Sequence, residues 1–267
     1  DPAYMDYYEL GLVNQILGSR RDVDSDTVPW VTYHQDVYPG ASRRLDYTRY
    51  ASGNGTCCNG TGLENHTKYQ ETIYSWSPDR SELYVNLYIA STLDWTERGL
   101  VLTQETAYPA AGDVTLRVVE GSGPLDLMLR VPSWATKGYA VEVNGVRQQL
   151  DAVPGSYATV SREWARGDLV QITMPLPFRA ERTPDDPSVQ AVYLGPSLLV
   201  SLDGEQSTNQ NAPVQPWRQL TLYPHYTRDG DFRSAFAPGD TPMHLTSHGY
   251  TFRPFYIADP EPTPLRY

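Results

Sequence analysis

The chain has 267 residues, enough to bury a substantial core in one to three domains. Its 21 basic and 32 acidic residues give a formal net charge of −11, which argues against binding nucleic acid or an anionic membrane, because both need a basic surface. There is no apolar run of about 18 residues and no basic-then-apolar leader, so we expect no membrane span and no signal peptide. The sequence therefore predicts a soluble protein and leaves its compartment open.

The first segment has the signals of a single helix. Asp1 and Pro2 suit the N-cap and the first helical position, and Gly18 suits a helix end. Between them, apolar side chains recur at helical spacing at Met5, Tyr8, Leu12 and Ile16. We expect a helix that ends at Gly18.

A second helix is expected after a loop-like stretch over 19–60, which is rich in Pro and Gly. The run Thr61-Gly62-Leu63-Glu64 has the pattern of a capping box, in which Thr61 and Glu64 satisfy the first backbone N–H groups. Pro78 would end this helix. The first 80 residues are thus predicted to be two helices and a long loop, too little helix to bury itself, so we expect them to be a piece of something larger.

After Pro78 the apolar residues alternate with polar ones, which is the period of half-buried strands. The run 141–147 contains Asn144-Gly145 and predicts a β-hairpin. Further strands are expected at 83–89, 114–118, 125–131, 156–161, 168–174, 188–194 and 197–202. Many short strands separated by turns predict one or two antiparallel β-sandwiches.

Cys57 and Cys58 are the only cysteines in the chain, and they lie in the Gly-rich run 55–66. Close to a helix start they would face the positive end of a helix dipole, which favours the thiolate, the form that attacks carbon or binds zinc. Two other interpretations stay open on spacing alone: a chance pair of buried or idle thiols, and a vicinal disulfide, which would close a strained ring.

The double-cysteine run, followed by Tyr84-Val85-Asn86-Leu87-Tyr88-Ile89, resembles the cysteine-dependent β-L-arabinofuranosidases of glycoside hydrolase families 127 and 146. Weaker landmarks appear in the family's order at 129–134, 143–145, 164–168 and 193–196. The resemblance implies a mainly β fold in which the end of an (α/α)6 barrel is followed by antiparallel β-sandwich domains. It divides the chain into the barrel end at 1–80, a β-sandwich domain at 81–202, and a second sandwich part or return strands at 203–267.

In that family the first cysteine of the pair is the nucleophile and a zinc ligand, and the second is a further zinc ligand. The resemblance therefore implies that Cys57 is catalytic and that Cys57 and Cys58 bind zinc. Adjacent residues can both reach one ion only if the backbone turns sharply, which Asn59-Gly60 immediately after them permits. The family completes the site with a Glu-x-Cys motif and an acid/base Glu upstream of the pair, and this sequence has no third cysteine. Three explanations are open: residues before Asp1 were lost, the missing ligands lie on another chain, or this form is inactive. The absent initiator Met favours loss.

Four further residues are candidates for the substrate pocket. Tyr33 and Tyr38 precede the cysteines on the loop, and Glu64 and His66 follow them. Each has a structural alternative: Glu64 as a helix cap, His66 as a surface or core histidine, the tyrosines as half-wet sheet or loop residues.

Two functions follow as hypotheses. The first is part of a retaining glycosidase that hydrolyses terminal β-L-arabinofuranosides in carbohydrate glycans, with a zinc-bound cysteine nucleophile and the missing N-terminal barrel portion as its partner. The second is a non-catalytic β-sandwich module that binds carbohydrate or packs on a barrel.

Overall fold

The computed structural model describes residues 1–19, 57–185, 190–201, 236–240, 243–247 and 250–257. The chain divides into two compact units, one of Asp1–Leu10 with Lys68–Pro177, the other of Gly11–Thr67 with Phe178–Tyr267. Within the described ranges, no helix has the length and apolar character needed to cross a membrane.

The predicted N-terminal helix is confirmed. Helix α1 (Pro2–Gly11) begins as expected, because the carboxylate of Asp1 accepts a hydrogen bond of 2.9 Å from the backbone N–H of Ala3. It continues through a π-helical turn at Leu12–Ile16 into α2 (Leu17–Ser19). The expected end at Gly18 is wrong: Gly18 lies inside α2, where a Cβ atom would come within 2.6 Å of the ring of Phe255. This glycine permits close packing.

The second helix differs from its prediction. Helix α3 (Cys57–Asn65) begins four residues before Thr61 and ends well before Pro78. A 3₁₀ turn at Tyr69–Thr72 follows, and then the first strand. Thr61 therefore lies inside the helix and cannot be its N-cap, so the capping-box prediction is wrong. A short Thr-x-x-Glu pattern does not fix a helix start when the chain before it is already helical.

Unit 1 contains two sheets. The first has four strands in the order β1-β2-β6-β9, and the second has six in the order β3-β4-β5-β10-β7-β8. Neighbours are antiparallel except β2 and β6, which pair in parallel. The strands are β1 (Tyr74–Trp76), β2 (Glu82–Val85), β3 (Ser91–Trp95), β4 (Leu100–Thr106), β5 (Asp113–Glu120), β6 (Gly123–Val131), β7 (Ala140–Val143), β8 (Val146–Arg147), β9 (Ser156–Trp164) and β10 (Leu169–Thr173).

The period-two pattern puts alternate side chains of both sheets into one core. Leu83 and Leu127 of the four-stranded sheet pack in the same buried cluster as Leu116 and Ile172 of the six-stranded sheet. Two sheets that share a core in this way form a β-sandwich. The predicted hairpin is confirmed: Asn144 (φ 52°) and Gly145 (φ 77°) connect β7 to β8 with two left-handed residues.

Unit 2 contains a further six-stranded sheet in the order β11-β12-β13-β16-β15-β14. Its strands are β11 (Phe178–Arg182), β12 (Gln190–Leu194), β13 (Ser197–Ser201), β14 (Ala237–Pro238), β15 (Leu245–Ser247) and β16 (Tyr250–Pro254). Asn14 fixes the π-helical turn at Leu12–Ile16 to this sheet, since its amide donates to the carbonyl of Pro196 at 2.8 Å and accepts from the backbone N–H of Leu198 at 2.7 Å.

The expected fold class, an N-terminal helix followed by antiparallel sheets, is confirmed. One strand, β1, precedes Pro78, so the first 80 residues are not only helix and loop. The domain boundaries drawn at 80 and 202 stay predictions.

Candidate functional site

The cysteine pair opens helix α3. Cys57 and Cys58 are the first two of the nine residues over which the structure describes this helix, and Glu64 is in its last turn. The first N–H groups of a helix have no intrahelical acceptor, and the aligned peptide dipoles place partial positive charge there. This backbone position favours a thiolate over a thiol, as the sequence predicted from a helix start a few residues later.

The expected turn after the pair is wrong, because Asn59 and Gly60 are helical. A Cβ atom at Gly60 would contact nothing within 4 Å, so no close packing requires glycine there. Glycine permits a turn without imposing one, and here the helix continues through it.

Glu64 and His66 lie at the other end of α3. The Glu64 side chain is exposed and its backbone carbonyl accepts hydrogen bonds from the N–H and the hydroxyl of Thr67, at 2.9 and 2.8 Å. His66 is half-buried in the turn that follows the helix. Tyr33 and Tyr38 lie outside the described residues. Their roles in a pocket stay predictions.

Two cysteines in the first turn of a helix provide soft sulfur donors of the kind that zinc prefers. A structural zinc site takes four ligands. In the described ranges no group of three or more His, Cys, Asp and Glu side chains could hold a metal ion. The donor chemistry of the two thiols fits zinc, and the binding of zinc by Cys57 and Cys58 stays a prediction.

Sequence reasoning missed a second polar constellation, in unit 1. Arg130 on β6 has no exposed surface, and its guanidinium forms ion pairs with Asp6 and Glu9 of α1. Glu9, only 3% exposed, also accepts hydrogen bonds from the hydroxyl of Tyr108 at 2.6 Å and from the indole of Trp134 at 2.9 Å. Alternation along β6 places Arg130 on the face away from the core, and only the structure shows that α1 covers that face.

The protonation states in this cluster follow from its burial. Burial raises the pKa of Tyr108 well above its ordinary value, and the charge of Glu9 adds to that shift. Burial is the largest single influence on the pKa of Arg130 and acts to lower it, but Glu9, Tyr108, Tyr88 and Asp6 together outweigh burial and the pKa is raised. Tyr108 therefore stays neutral and Arg130 stays charged. Because every member is paired and Arg130 and Glu9 are buried, the cluster fastens α1 to the sandwich.

Comparison with known proteins agrees with the fold. Residues 82–176 match a family model described as beta-L-arabinofuranosidase, GH127 middle domain. No curated protein matches the chain.

Solved structures match the fold over almost the whole chain. One, described as a glycoside hydrolase, has a TM-score of 0.68 at 20% identity, covering 99% of this chain and 48% of its own. A second, described as a GH127 beta-arabinofuranosidase, also has a TM-score of 0.68 at 20% identity, and the match covers 100% of this chain and 45% of that structure. A GH127 beta-L-arabinofuranosidase from Geobacillus stearothermophilus T6 has a TM-score of 0.64 at 19% identity, and the match covers 99% of this chain and 45% of that structure.

The chain spans about half the length of these structures. The match of residues 82–176 in sequence and of nearly all residues in fold confirms the resemblance that the cysteine and sandwich motifs indicated. The chain resembles the GH127 β-L-arabinofuranosidases and is consistent with the C-terminal portion of such a protein.

Proposed function

We propose that the chain is part of a retaining glycosidase that releases terminal β-L-arabinofuranose from glycans, with Cys57 as its nucleophile. The observation that carries the proposal is that Cys57 and Cys58 open helix α3 in a chain whose middle matches the GH127 family model. A thiolate at a helix N-terminus is a competent nucleophile toward the anomeric carbon.

In the proposed reaction the sulfur of Cys57 attacks the anomeric carbon as the bond to the leaving oxygen breaks. The leaving oxygen takes a proton from a Glu that the family resemblance places upstream of the pair, outside this sequence. Water then attacks the same carbon while the carboxylate of that Glu takes its proton, the carbon–sulfur bond breaks, and Cys57 returns as a thiolate. Two inversions leave the configuration of the sugar unchanged.

Cys57 and Cys58 would also hold zinc, together with ligands from outside the described residues. The ion, when bound, would keep the thiols deprotonated and fixed in place. Cys58 would act by holding the site together, without contacting the anomeric carbon.

The test uses the longer natural polypeptide that contains this chain and p-nitrophenyl β-L-arabinofuranoside as substrate. We expect Cys57→Ser to abolish turnover, because a serine hydroxyl stays protonated and is a poor ligand for a soft metal. Cys58→Ser should lower zinc content first and activity as a consequence. Val153→Ser, at an exposed apolar site in unit 1, should change neither quantity.

NMR of the first product formed would show the β anomer of a retaining enzyme. Turnover by the Cys57→Ser protein would end the cysteine-nucleophile proposal. Release of the α anomer would show that the enzyme inverts the configuration, which contradicts the proposed retention. Release of a different sugar would contradict the proposed substrate and leave the proposed nucleophile standing.

A further inference from the structure

A pair of stacked tryptophans at one edge of unit 1 has no role in the proposed reaction. Trp76 ends β1, the edge strand of the four-stranded sheet, and Trp95 ends β3 of the facing sheet. Their ring centroids lie 5.0 Å apart with 26° between the planes. Trp95 is almost completely buried, whereas Trp76 is 44% exposed. One face of the Trp76 indole is therefore backed by Trp95, and 44% of the side chain is exposed.

The turn that follows Trp76 is rigid. The carboxylate of Asp79 accepts hydrogen bonds from the hydroxyls of Ser77 and Ser81 at 2.6 and 2.9 Å, and from the backbone N–H of Ser81 at 3.2 Å. The Ser77 hydroxyl in turn accepts from the backbone N–H of Glu82 at 3.0 Å. Since the ring stands on a fixed hairpin and a fixed neighbouring ring, binding to it loses little conformational freedom.

The size of the exposed surface limits what it can bind. At 44% exposure, Trp76 presents roughly 100 Å² of a side chain whose full area is about 250 Å². A stable protein interface needs about 800 Å² per partner. The exposed residues that lie close in sequence to the two tryptophans are polar except Pro78; the polar ones include Ser75, Asp79, Arg80, Thr96 and Glu97. A single ring among polar groups is too small and too isolated to dock a protein.

The arrangement of the rings excludes a second class of ligand. A cage for a quaternary ammonium group needs rings that enclose the cation, and here the two rings are stacked nearly in parallel. What remains is one flat apolar platform beside hydrogen-bonding groups. A sugar ring has the matching surface, because one side of it presents C–H groups and its rim carries hydroxyls.

We propose that Trp76 is an accessory saccharide-binding platform, which stacks on the C–H face of one sugar unit while the exposed polar side chains near it bind its hydroxyls. Arg80 is the first of these, since its side chain is exposed and makes no described hydrogen bond or ion pair. Trp76 belongs to unit 1 and Cys57 to unit 2, so binding at Trp76 can be tested whether or not Cys57 is a nucleophile.

The experiment uses the longer natural polypeptide that contains this chain, labels its tryptophans with ¹⁵N in the indole ring and records their NMR signals during titration. The probes are α-1,5-arabinotetraose, xylotetraose and cellotetraose, each added separately. Signals are assigned by single Trp→Phe replacements. We expect at least one probe to shift the signals of Trp76 and Trp95 together and to leave Trp164, which is buried and donates to the carbonyl of Leu125, in place.

Three variants distinguish a platform from a merely exposed ring. Trp76→Leu keeps an apolar cover over Trp95 but has no flat ring, and it should weaken binding about tenfold or more, as loss of one stacked ring does elsewhere. Trp76→Tyr should retain most of the affinity. Val153→Ser, at an exposed apolar site elsewhere in unit 1, should bind as the parent does.

Unchanged Trp76 signals with all three probes near their solubility limits would overturn the proposal, and so would Trp76→Leu binding as tightly as the parent. Signals of Trp76 that move on dilution of the chain alone would identify the ring as a contact between copies, which also overturns it. A variant that loses binding must retain the circular dichroism of the parent to count in favour.

Discussion

The guanidinium of Arg130 on β6 forms a buried ion pair with the carboxylate of Glu9 on α1, 121 residues earlier in the chain. The same guanidinium donates to Asp6 at 2.7 Å and to the backbone carbonyl of Asn86 at 2.6 Å. The sandwich therefore holds the helix through buried charged groups. A buried pair of this kind gives little net stability when intact, and it is costly to break on one side.

Removing Arg130 alone should destabilise unit 1 by about 3–5 kcal/mol, because Glu9 would remain buried without its cation. We therefore expect Arg130→Met to lower the urea midpoint sharply and the double variant Glu9→Leu with Arg130→Met to recover much of the loss. Tryptophan fluorescence is a suitable probe, since Trp76, Trp95, Trp134 and Trp164 all belong to unit 1. The exposed Arg147 provides the control: Arg147→Met should shift stability by no more than about 0.5 kcal/mol. A double variant no more stable than Arg130→Met would contradict this account.

Most of the β architecture was predictable because strands record their burial in a period of two. Leu83, Leu116 and Val143 alternate with polar neighbours, and all three are buried where the pattern places them. The hairpin at Asn144-Gly145 was predictable for a more local reason, since few residue pairs adopt two consecutive left-handed conformations. Both signals need only the segment itself.

The ion cluster was not predictable from the same signals. Arg130 alternates correctly with Leu129 and Val131, and the alternation says only that it leaves the core side of the sheet. Whether that side meets water or a helix depends on a contact across more than a hundred residues, which no local pattern encodes. The prediction of where α3 begins was wrong for a similar reason, because Thr61 and Glu64 satisfy the capping-box pattern inside a helix that has already begun.

The titration of Tyr84 provides a second prediction. A hydrogen bond from its hydroxyl to the Glu82 carboxylate at 2.6 Å is the main cause that raises the pKa of Tyr84 to about 12, and burial adds to it. The neutral phenol is the form that the fold favours, so this contribution to stability is complete below pH 10, the ordinary value, and is lost as the pH rises toward 12. We expect the ultraviolet titration difference between the parent and Tyr84→Phe to have its midpoint near 12.

Glu82→Gln should lower the pKa of Tyr84 toward its ordinary value, because an amide adds no negative charge beside the ionised ring. Glu163→Gln, at an exposed position on β9, should leave the titration of Tyr84 unchanged. An unchanged midpoint in Glu82→Gln would show that burial, and not the hydrogen bond, dominates.

Two helical glycines in unit 2 should respond in opposite directions to the same substitution. A Cβ atom at Gly18 would lie 2.6 Å from the buried ring of Phe255, whereas at Gly11 it would contact nothing within 4 Å. We expect Gly18→Ala to destabilise by about 1–3 kcal/mol through overpacking, and Gly11→Ala to stabilise by about 0.5–1 kcal/mol through reduced freedom of the unfolded chain. Scanning calorimetry would measure both. Phe255→Leu should relieve the Gly18→Ala penalty, and equal effects of the two alanines would refute the close-packing explanation.

The position of Cys57 at the start of α3 predicts a reactive thiol in this chain even without the rest of an enzyme. The partial positive charge at a helix N-terminus stabilises the thiolate, which is the form that iodoacetamide alkylates. We expect Cys57 in the Cys58→Ser variant to react about tenfold or more faster at neutral pH than the cysteine of an unstructured peptide with the sequence of 55–61, with a chelator present in both reactions.

The matched control is Leu63→Pro in the same background, because a proline inside α3 removes a helical hydrogen bond and disrupts the alignment of the peptide dipoles. Its Cys57 should react at close to the peptide rate, while circular dichroism reports that the sheets are intact. Mass spectrometry of the adducts confirms the site of modification. If Cys57 reacts no faster than the peptide, or if Leu63→Pro leaves the rate high, the helix start does not activate the thiol, and any reactivity would have to arise from the metal or from residues outside this chain.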